Sequence, residues 1–136
     1  MNQFLLTIIL SFPFMAHSIE LPFIGGPTYL SEEQKINQLI TFVEKSEAKF
    51  VRNGTVYSGV EAAKHRKMKR EKAGTKIKTA RDFIDLIASK SSMSGDAYLM
   101  RYKNGQTIPV RDILYNELRK MDAKQVGFKI TKVQAC

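Results

Sequence analysis

Apolar residues recur along this chain at two periods, and the alternation between them sketches a fold. Ile36, Leu39, Ile40 and Val43 fall at helical spacing behind Ser31-Glu32-Glu33-Gln34, where Ser and Gln stand at capping-box positions. The pattern predicts a helix that runs to near Ser46 and buries one face. Phe50-Val51-Arg52 and Thr55-Val56-Tyr57 then flank Asn53-Gly54, residues that tolerate positive φ. This reads as two short strands joined by a two-residue turn, or as one strand followed by an irregular turn. A second capping box, Ser58 to Glu61, opens a helix through roughly Lys72 that Gly74 closes. Its apolar content is thin (Val60, Ala62, Ala63, Met68), which predicts a surface helix with one narrow inward stripe. Thr79 to Asp82 starts a third helix, expected to end between Ser89 and Met93. Its Phe83, Ile84, Leu86, Ile87 and Ala88 make it the expected centre of the core.

Tyr98 to Tyr102 and Gln106 to Val110 flank Lys103-Asn104-Gly105, a second hairpin signal in which Pro109 confines the later strand to an edge or to its final residues. A fourth helix, Val110 to Met121, would present Val110, Ile113, Leu114, Leu118 and Met121 inward. Beyond it Val126, Phe128 and Ile130 alternate with polar residues, so the tail 123–136 is expected as a strand or as loose chain. Residues 19–30, with Pro22, Gly25, Gly26 and Pro27, form an irregular lead-in. The elements sum to a single α+β domain over 31–122, predominantly helical, with about four helices and short antiparallel hairpin strands. A hydrophobic content of 43% against 26% charged residues suits a packed core and excludes a disordered chain.

Residues 1–18 contain no Lys, Arg, Asp or Glu and carry an apolar run from Phe4 to Ala16. A bilayer span needs roughly 20 apolar residues, and this run is shorter and broken by Pro13. Ala16-His17-Ser18 puts small residues where a signal peptidase inspects them. The segment therefore reads as a signal peptide cleaved before Ile19, which implies a periplasmic or secreted protein with no membrane span after its removal. Cys136 is the chain's single cysteine, so no intramolecular disulfide and no Cys-based metal site can form, although a terminal thiol could pair two chains.

The formal net charge is +9, and it is concentrated. Between Lys64 and Arg81 the lone acid Glu71 stands among Lys64, Arg66, Lys67, Lys69, Arg70, Lys72, Lys76, Lys78 and Arg81. Such a block can be a footprint for phosphates, anionic lipid or nucleic acid, or simply a solvated helix face. With no aromatics interleaved, specific nucleic-acid recognition is not expected. Catalytic patterns are poor. After the leader, His65 stands alone, which excludes a His-rich zinc site or a Cys-His pair, and no metal or cofactor is expected. Ser46-Glu47-Ala48-Lys49 matches the Ser-x-x-Lys of penicillin-recognising enzymes, but Ser-Asp-Asn is absent and the chain is too short for that fold. Ser89 to Gly95 carries Ser89, Ser91, Ser92 and Ser94, which could nest an anion or cap a helix and fill a turn. His65 and Lys69 share a helix face and could hold a phosphate or carboxylate, or His65 could serve an internal hydrogen bond.

Four blocks, Phe50 to Gly54, Ala62 to Lys69, Thr79 to Ile84 and Ser91 to Tyr98, in their order and spacing resemble a family of small bacterial periplasmic proteins, the domain of unknown function DUF5329. The resemblance spans roughly Ser31 to Met121. It implies export and a single-domain fold and carries no assigned activity. Arg66 stands where a Leu is expected after the His. Ala48 stands where relatives often carry Cys, so no family disulfide transfers to this chain.

Two functions follow as expectations. The first is a non-enzymatic module for an anionic envelope component or a protein partner. Its basic surface would be Lys64, Arg66, Lys67, Arg70, Lys76, Lys78 and Arg81, and its ligand site Arg52, Asn53, Gly54, His65, Lys69, Ser94 and Gly95. The second is a small envelope hydrolase that pairs His65 with a hydroxyl from Ser91 to Ser94. The leader reading is tested by mass spectrometry of the exported protein, which should begin at Ile19; a soluble cytoplasmic form retaining Met1 would overturn it.

Overall fold

A computed structural model describes residues 29–134; the leader, the lead-in up to residue 28 and Cys136 lie outside the described residues. Within them the chain folds as an α+β domain of four helices and one four-stranded antiparallel sheet. Helix α1 spans Glu32–Glu44, and its capping box forms as the sequence predicts, with Gln34 N–H on the Ser31 hydroxyl and the Gln34 side chain on Ser31 N–H. Ile36, Leu39, Ile40 and Val43 make its buried face. Strands β1 (Lys49–Arg52) and β2 (Thr55–Tyr57) pair through the two-residue turn Asn53-Gly54, with φ of 48° and 77°. Positive φ at both turn residues gives the connection the twist that suits a tight hairpin.

Helix α2 (Gly59–Ala73) is capped by Ser58 and Glu61 and stops at Gly74. It runs antiparallel to α1, with Lys67 on Glu44 at 3.2 Å and Arg70 on Glu33 and Asn37. The two helices meet most closely at Gly59, where a Cβ would stand 2.4 Å from the Val43 carbonyl oxygen and 2.8 Å from that of Ser46. Only glycine fits there. The inward stripe of α2 differs from expectation: Val60 and Met68 are exposed, while Gly59, Ala62, Ala63 and Arg66 are buried.

Helix α3 starts at Thr79, whose side chain caps Asp82 N–H. It spans Ala80–Asp82 and widens into a π-helical turn over Phe83–Ala88. At its end the Ser89 hydroxyl donates to the carbonyl of Ile84, five residues back. Phe83, Ile84, Ile87 and Ala88 are buried, but Leu86 is 55% exposed. The reason is periodic: Ala80, Phe83, Ile84 and Ile87 share one stripe, and Leu86 lies off it.

Strands β3 (Leu99–Arg101) and β4 (Thr107–Pro109) form the second hairpin, and β3 joins β1 to give the order β2-β1-β3-β4. Pro109 sits on the edge strand, where its missing N–H costs no ladder bond. Phe50, Met100 and Ile108 are cross-strand neighbours, and Phe50 and Met100 join the core. Helix α4 spans Val110–Gln134 and does not end at Met121. Nothing in Asp122-Ala123-Lys124-Gln125 breaks a helix, and a single interior glycine, Gly127, costs only about 1 kcal/mol. Lys35 ties α1 to α4, its Nζ 2.9 Å from Asp122 and 3.0 Å from Glu32. Glu32 in turn accepts Ala80 N–H at 2.7 Å, which draws the starts of α1 and α3 together.

The stripe on α3 makes a sharp contrast testable by urea denaturation. Phe83→Ala should cost about 3–5 kcal/mol, since a fully buried ring leaves a cavity, whereas Leu86→Ala should stay within about 0.5 kcal/mol of wild type. Equal losses at both positions would contradict the helical register.

Candidate ligand-binding site

Helix α2 carries its cations in three directions. Lys67 and Arg70 reach α1. Lys69 turns inward, where its Nζ donates to the carbonyls of Ile87 at 2.9 Å and Lys90 at 3.1 Å and lies 5.4 Å from the centre of the Tyr98 ring. Arg66, placed by the sequence on the basic surface, is 2% exposed. Its Nη1 donates to Ala62 O at 3.0 Å and its Nη2 to Ala88 O at 3.4 Å. Its guanidinium carbon lies 5.4 Å from the centre of the Phe50 ring and 5.5 Å from that of the Tyr98 ring. The predicted block is therefore not one continuous face. Lys64, Lys72, Lys76, Lys78 and Arg81 remain exposed, Arg81 beside the Tyr115 ring.

Among the described residues no carboxylate balances Arg66. Burial pushes its guanidinium down to about 10, still far above neutrality, so the group stays charged. Its Nε is buried and has no hydrogen-bond partner among the described residues. Taking such an ion out of water costs several kcal/mol. Two carbonyls and two ring faces offset part of that cost.

Arg66 lines a cavity of about 280 Å³ between the β1–β2 hairpin and α2. Phe50, Val51, Tyr57, Ala62, Met68 and Tyr98 supply apolar and aromatic walls; Arg52 and Lys64 add nitrogen donors, His65 adds an imidazole, and Glu61 is the one carboxylate in the lining. Glu61 is committed to the N-cap of α2, accepting Ser58 N–H and the Ser58 hydroxyl at 2.8 Å each. Tyr98 is fixed by its backbone, with N–H on Ser89 O at 2.8 Å and its carbonyl taking Val110 N–H at 2.9 Å. Its hydroxyl makes no hydrogen bond among the described residues.

At the cavity wall, Arg52 Nη1 lies 2.8 Å from Nε2 and 3.1 Å from Nδ1 of His65. A guanidinium can only donate, so the imidazole accepts and must be neutral. Burial, then the charges of Arg52, Lys69, Arg66 and Lys72, hold His65 below its ordinary range. The Arg52 guanidinium also lies 5.9 Å from the centre of the Tyr57 ring.

The seven residues proposed from sequence as one ligand site are not brought together. Arg52 and His65 line the cavity. Asn53, Ser94 and Ser91 form a separate clamp, in which Asn53 Nδ2 donates to Ser91 Oγ at 3.3 Å and Ser94 Oγ donates to Asn53 Oδ1 at 2.9 Å. This clamp fastens the 89–98 loop to the hairpin turn. Gly54 and Gly95 supply positive φ there, and Lys69 is spent on carbonyls. Sequence reasoning missed Arg66 and Tyr98 as cavity residues. For Arg66 a signal existed: with Gly59, Ala62 and Ala63 it completes a helical stripe of small residues, and a long side chain there must run inward.

The sequence model of a family of unknown function (DUF5329) matches residues 30–122, an interval that holds the whole cavity lining. The uncharacterised protein YfeK of Salmonella typhimurium strain LT2 is 38% identical over 68 residues, which cover 49% of this chain and 57% of that protein. No solved structure matches the chain.

The Arg52–His65 contact sets a pH dependence. The folded imidazole binds protons less readily than the unfolded one, so its contribution is fully present above about pH 6.5 and is lost as pH falls toward the lower folded value. The urea midpoint should therefore fall from about pH 7.5 to about pH 5, and less so in His65→Gln, which keeps an acceptor but cannot titrate. Identical pH profiles for the two proteins would remove the neutral-acceptor assignment.

Proposed function

We propose that this chain, which belongs to the family of unknown function DUF5329, is a non-catalytic binding module that holds a small anionic ligand in the cavity between the β1–β2 hairpin and α2. One observation carries the reading: a buried guanidinium, Arg66, lines that cavity, and among the described residues its Nε has no hydrogen-bond partner and no carboxylate pairs with it. A buried cation without a partner is unstable on its own terms, and an anion with oxygen acceptors would relieve both the charge and the missing hydrogen bond. Arg52 on the same wall adds a second fixed fork of donors.

The hydrolase alternative gains no support from the geometry. Catalysis by a serine would need its hydroxyl within hydrogen-bond reach of the His65 base. Ser91 and Ser94 are instead joined to Asn53, and His65 turns its nitrogens to Arg52. The apolar run of residues 1–18 motivates the remaining part of the proposal, that the module works in the cell envelope after export.

The test is an amide NMR titration of the protein with acetate, phosphate, sulfate and benzoate at fixed ionic strength. At least one anion should shift amides between Phe50 and Arg66 and at Tyr98, and Arg66→Met should lose the response while keeping its helical circular dichroism. If none of the four perturbs those amides, the binding reading fails. Should Arg66→Met not fold, Arg52→Gln decides: unchanged titration by that variant also removes the proposed site.

A further inference from the structure

We infer that the face where α2, α3 and the 89–98 loop meet docks on an anionic lipid surface. Lys69 and Lys72 of α2 and Lys76 of the single turn Gly74–Lys76 that follows line one depression of about 370 Å³, with Leu86 of α3 and Ser92 of the loop. None of its lining residues lines the cavity between the hairpin and α2, so this inference stands or falls apart from the small-anion reading. The charge of the face has one sign. No carboxylate lines the depression. Among the acids of the same elements, Glu61 and Asp82 cap their helices, Glu71 lines a separate depression with Lys67 and Arg70, and Asp85 is held by Arg111 at 3.1 Å and by the Tyr115 hydroxyl at 2.8 Å. On the loop, Lys90 and Asp96 offset each other in formal charge. Lys69 donates to Ile87 O and Lys90 O, but a carbonyl has no net charge and leaves the cation unneutralised. Lys72 and Lys76 are exposed and pair with no acid among the described residues. Like charges three and four positions apart repel one another, and an anionic surface relieves that repulsion.

Charge alone suits any polyanion, and the apolar groups narrow the choice. Leu86 is exposed beside these lysines. Met93 follows Ser92 in the loop and is 91% exposed, more than any other large apolar side chain among the described residues. Consecutive Cα atoms stand about 3.8 Å apart, so Met93 belongs to the margin of the depression. Lys72 also suits the negative end of the α2 dipole, but Leu86 and Met93 gain nothing from water or from a hydrophilic polymer. A nucleic acid strand would bring bases to stack, and no aromatic residue lines the depression to receive them. An anionic bilayer meets both kinds of group: its phosphate and headgroup oxygens take the lysines, and its acyl boundary takes Leu86 and Met93. The long lysine stems let the ammonium groups stay at headgroup level while the apolar side chains sit deeper.

Cosedimentation of the purified protein with lipid vesicles is the test. Vesicles of about three parts phosphatidylcholine to one part phosphatidylglycerol should bind it far better than phosphatidylcholine alone, and raising salt from about 0.05 M to about 0.5 M should weaken that binding. Lys72→Gln combined with Lys76→Gln should lower affinity for the anionic vesicles about thirtyfold, roughly fivefold for each lysine at the surface. Lys103→Gln combined with Lys120→Gln removes the same charge elsewhere on the molecule and should lower it less than about threefold. Leu86→Gln combined with Met93→Gln should lower it about tenfold and leave binding to heparin unchanged. All six side chains are exposed, so each variant should keep the helical circular dichroism of wild type. Every protein carries the same N-terminus, so residues 1–18 weigh equally in each comparison. Equal binding to neutral and anionic vesicles, or equal losses in the two lysine variants, would overturn the inference. Unchanged vesicle binding by the Leu86 and Met93 variant would overturn it as well, and tighter binding of heparin than of vesicles by that variant and wild type alike would make the partner a soluble polyanion instead.

Discussion

The exit of α3 ends in carbonyl groups that carry the negative end of a helix dipole, and two cations of α2 close it. Lys69 takes Ile87 O and Lys90 O; Arg66 takes Ala88 O. Orphan carbonyls at a buried helix end need donors, and cationic donors satisfy both the hydrogen bonds and the field. Much of the architecture follows from this graft. It fixes the second half of α2 over the end of α3, so the loop that leaves α3 must turn at Ser89 and return through Tyr98. The Tyr98 backbone is then held between Ser89 and Val110, which sets β3 beside β1 and α4 at the end of β4.

The cavity is a by-product of the same arrangement. Arg66 reaches the Ala88 carbonyl of α3 with its guanidinium against the rings of Phe50 in β1 and of Tyr98. Ala62, a small residue on α2, leaves the cavity open on the helix side. Arg52 is held against His65, an arrangement that works only while the imidazole is neutral. A charge that would ordinarily be destabilising is thus kept where a ligand can meet it. The basic stretch of α2 is in large part internal wiring, with Arg66 and Lys69 turned inward and Lys67 and Arg70 paired with α1.

Local chemistry made much of this fold legible in advance. Ser31, Ser58 and Thr79 each cap a helix as their spacing indicates, and all three caps are reciprocated by the residue three places on. Asn53-Gly54 forms the turn, and Pro109 lies on an edge. The failures share a cause. Leu86 belongs to an apolar run dense enough to hide its own period, and Arg66 belongs to a charge run that does the same. The cavity could not be read because its walls come from β1, β2, α2 and the loop before β3. Only tertiary packing brings Tyr98 to Arg66, and no spacing along the chain encodes it. The α4 extension past Met121 has a different origin: alternating apolar residues there resemble a strand, while the absence of any strong breaker lets the helix continue.

The contact at Gly59 bears on the mechanics of the cavity. Backbone meets backbone there, with Gly59 seated on the carbonyls that end α1, and the far half of the same helix is pinned to the exit of α3 by Lys69 and Arg66. A rod clamped at both ends can neither slide nor roll, so α2 is the rigid jaw. The opposing wall is a hairpin whose outer strand, β2, pairs among the described residues with β1 alone and exposes Thr55 and Val56. Whatever compliance the cavity has therefore resides in the hairpin, and the aperture is set by how far Tyr57 and Arg52 can swing against a fixed helix.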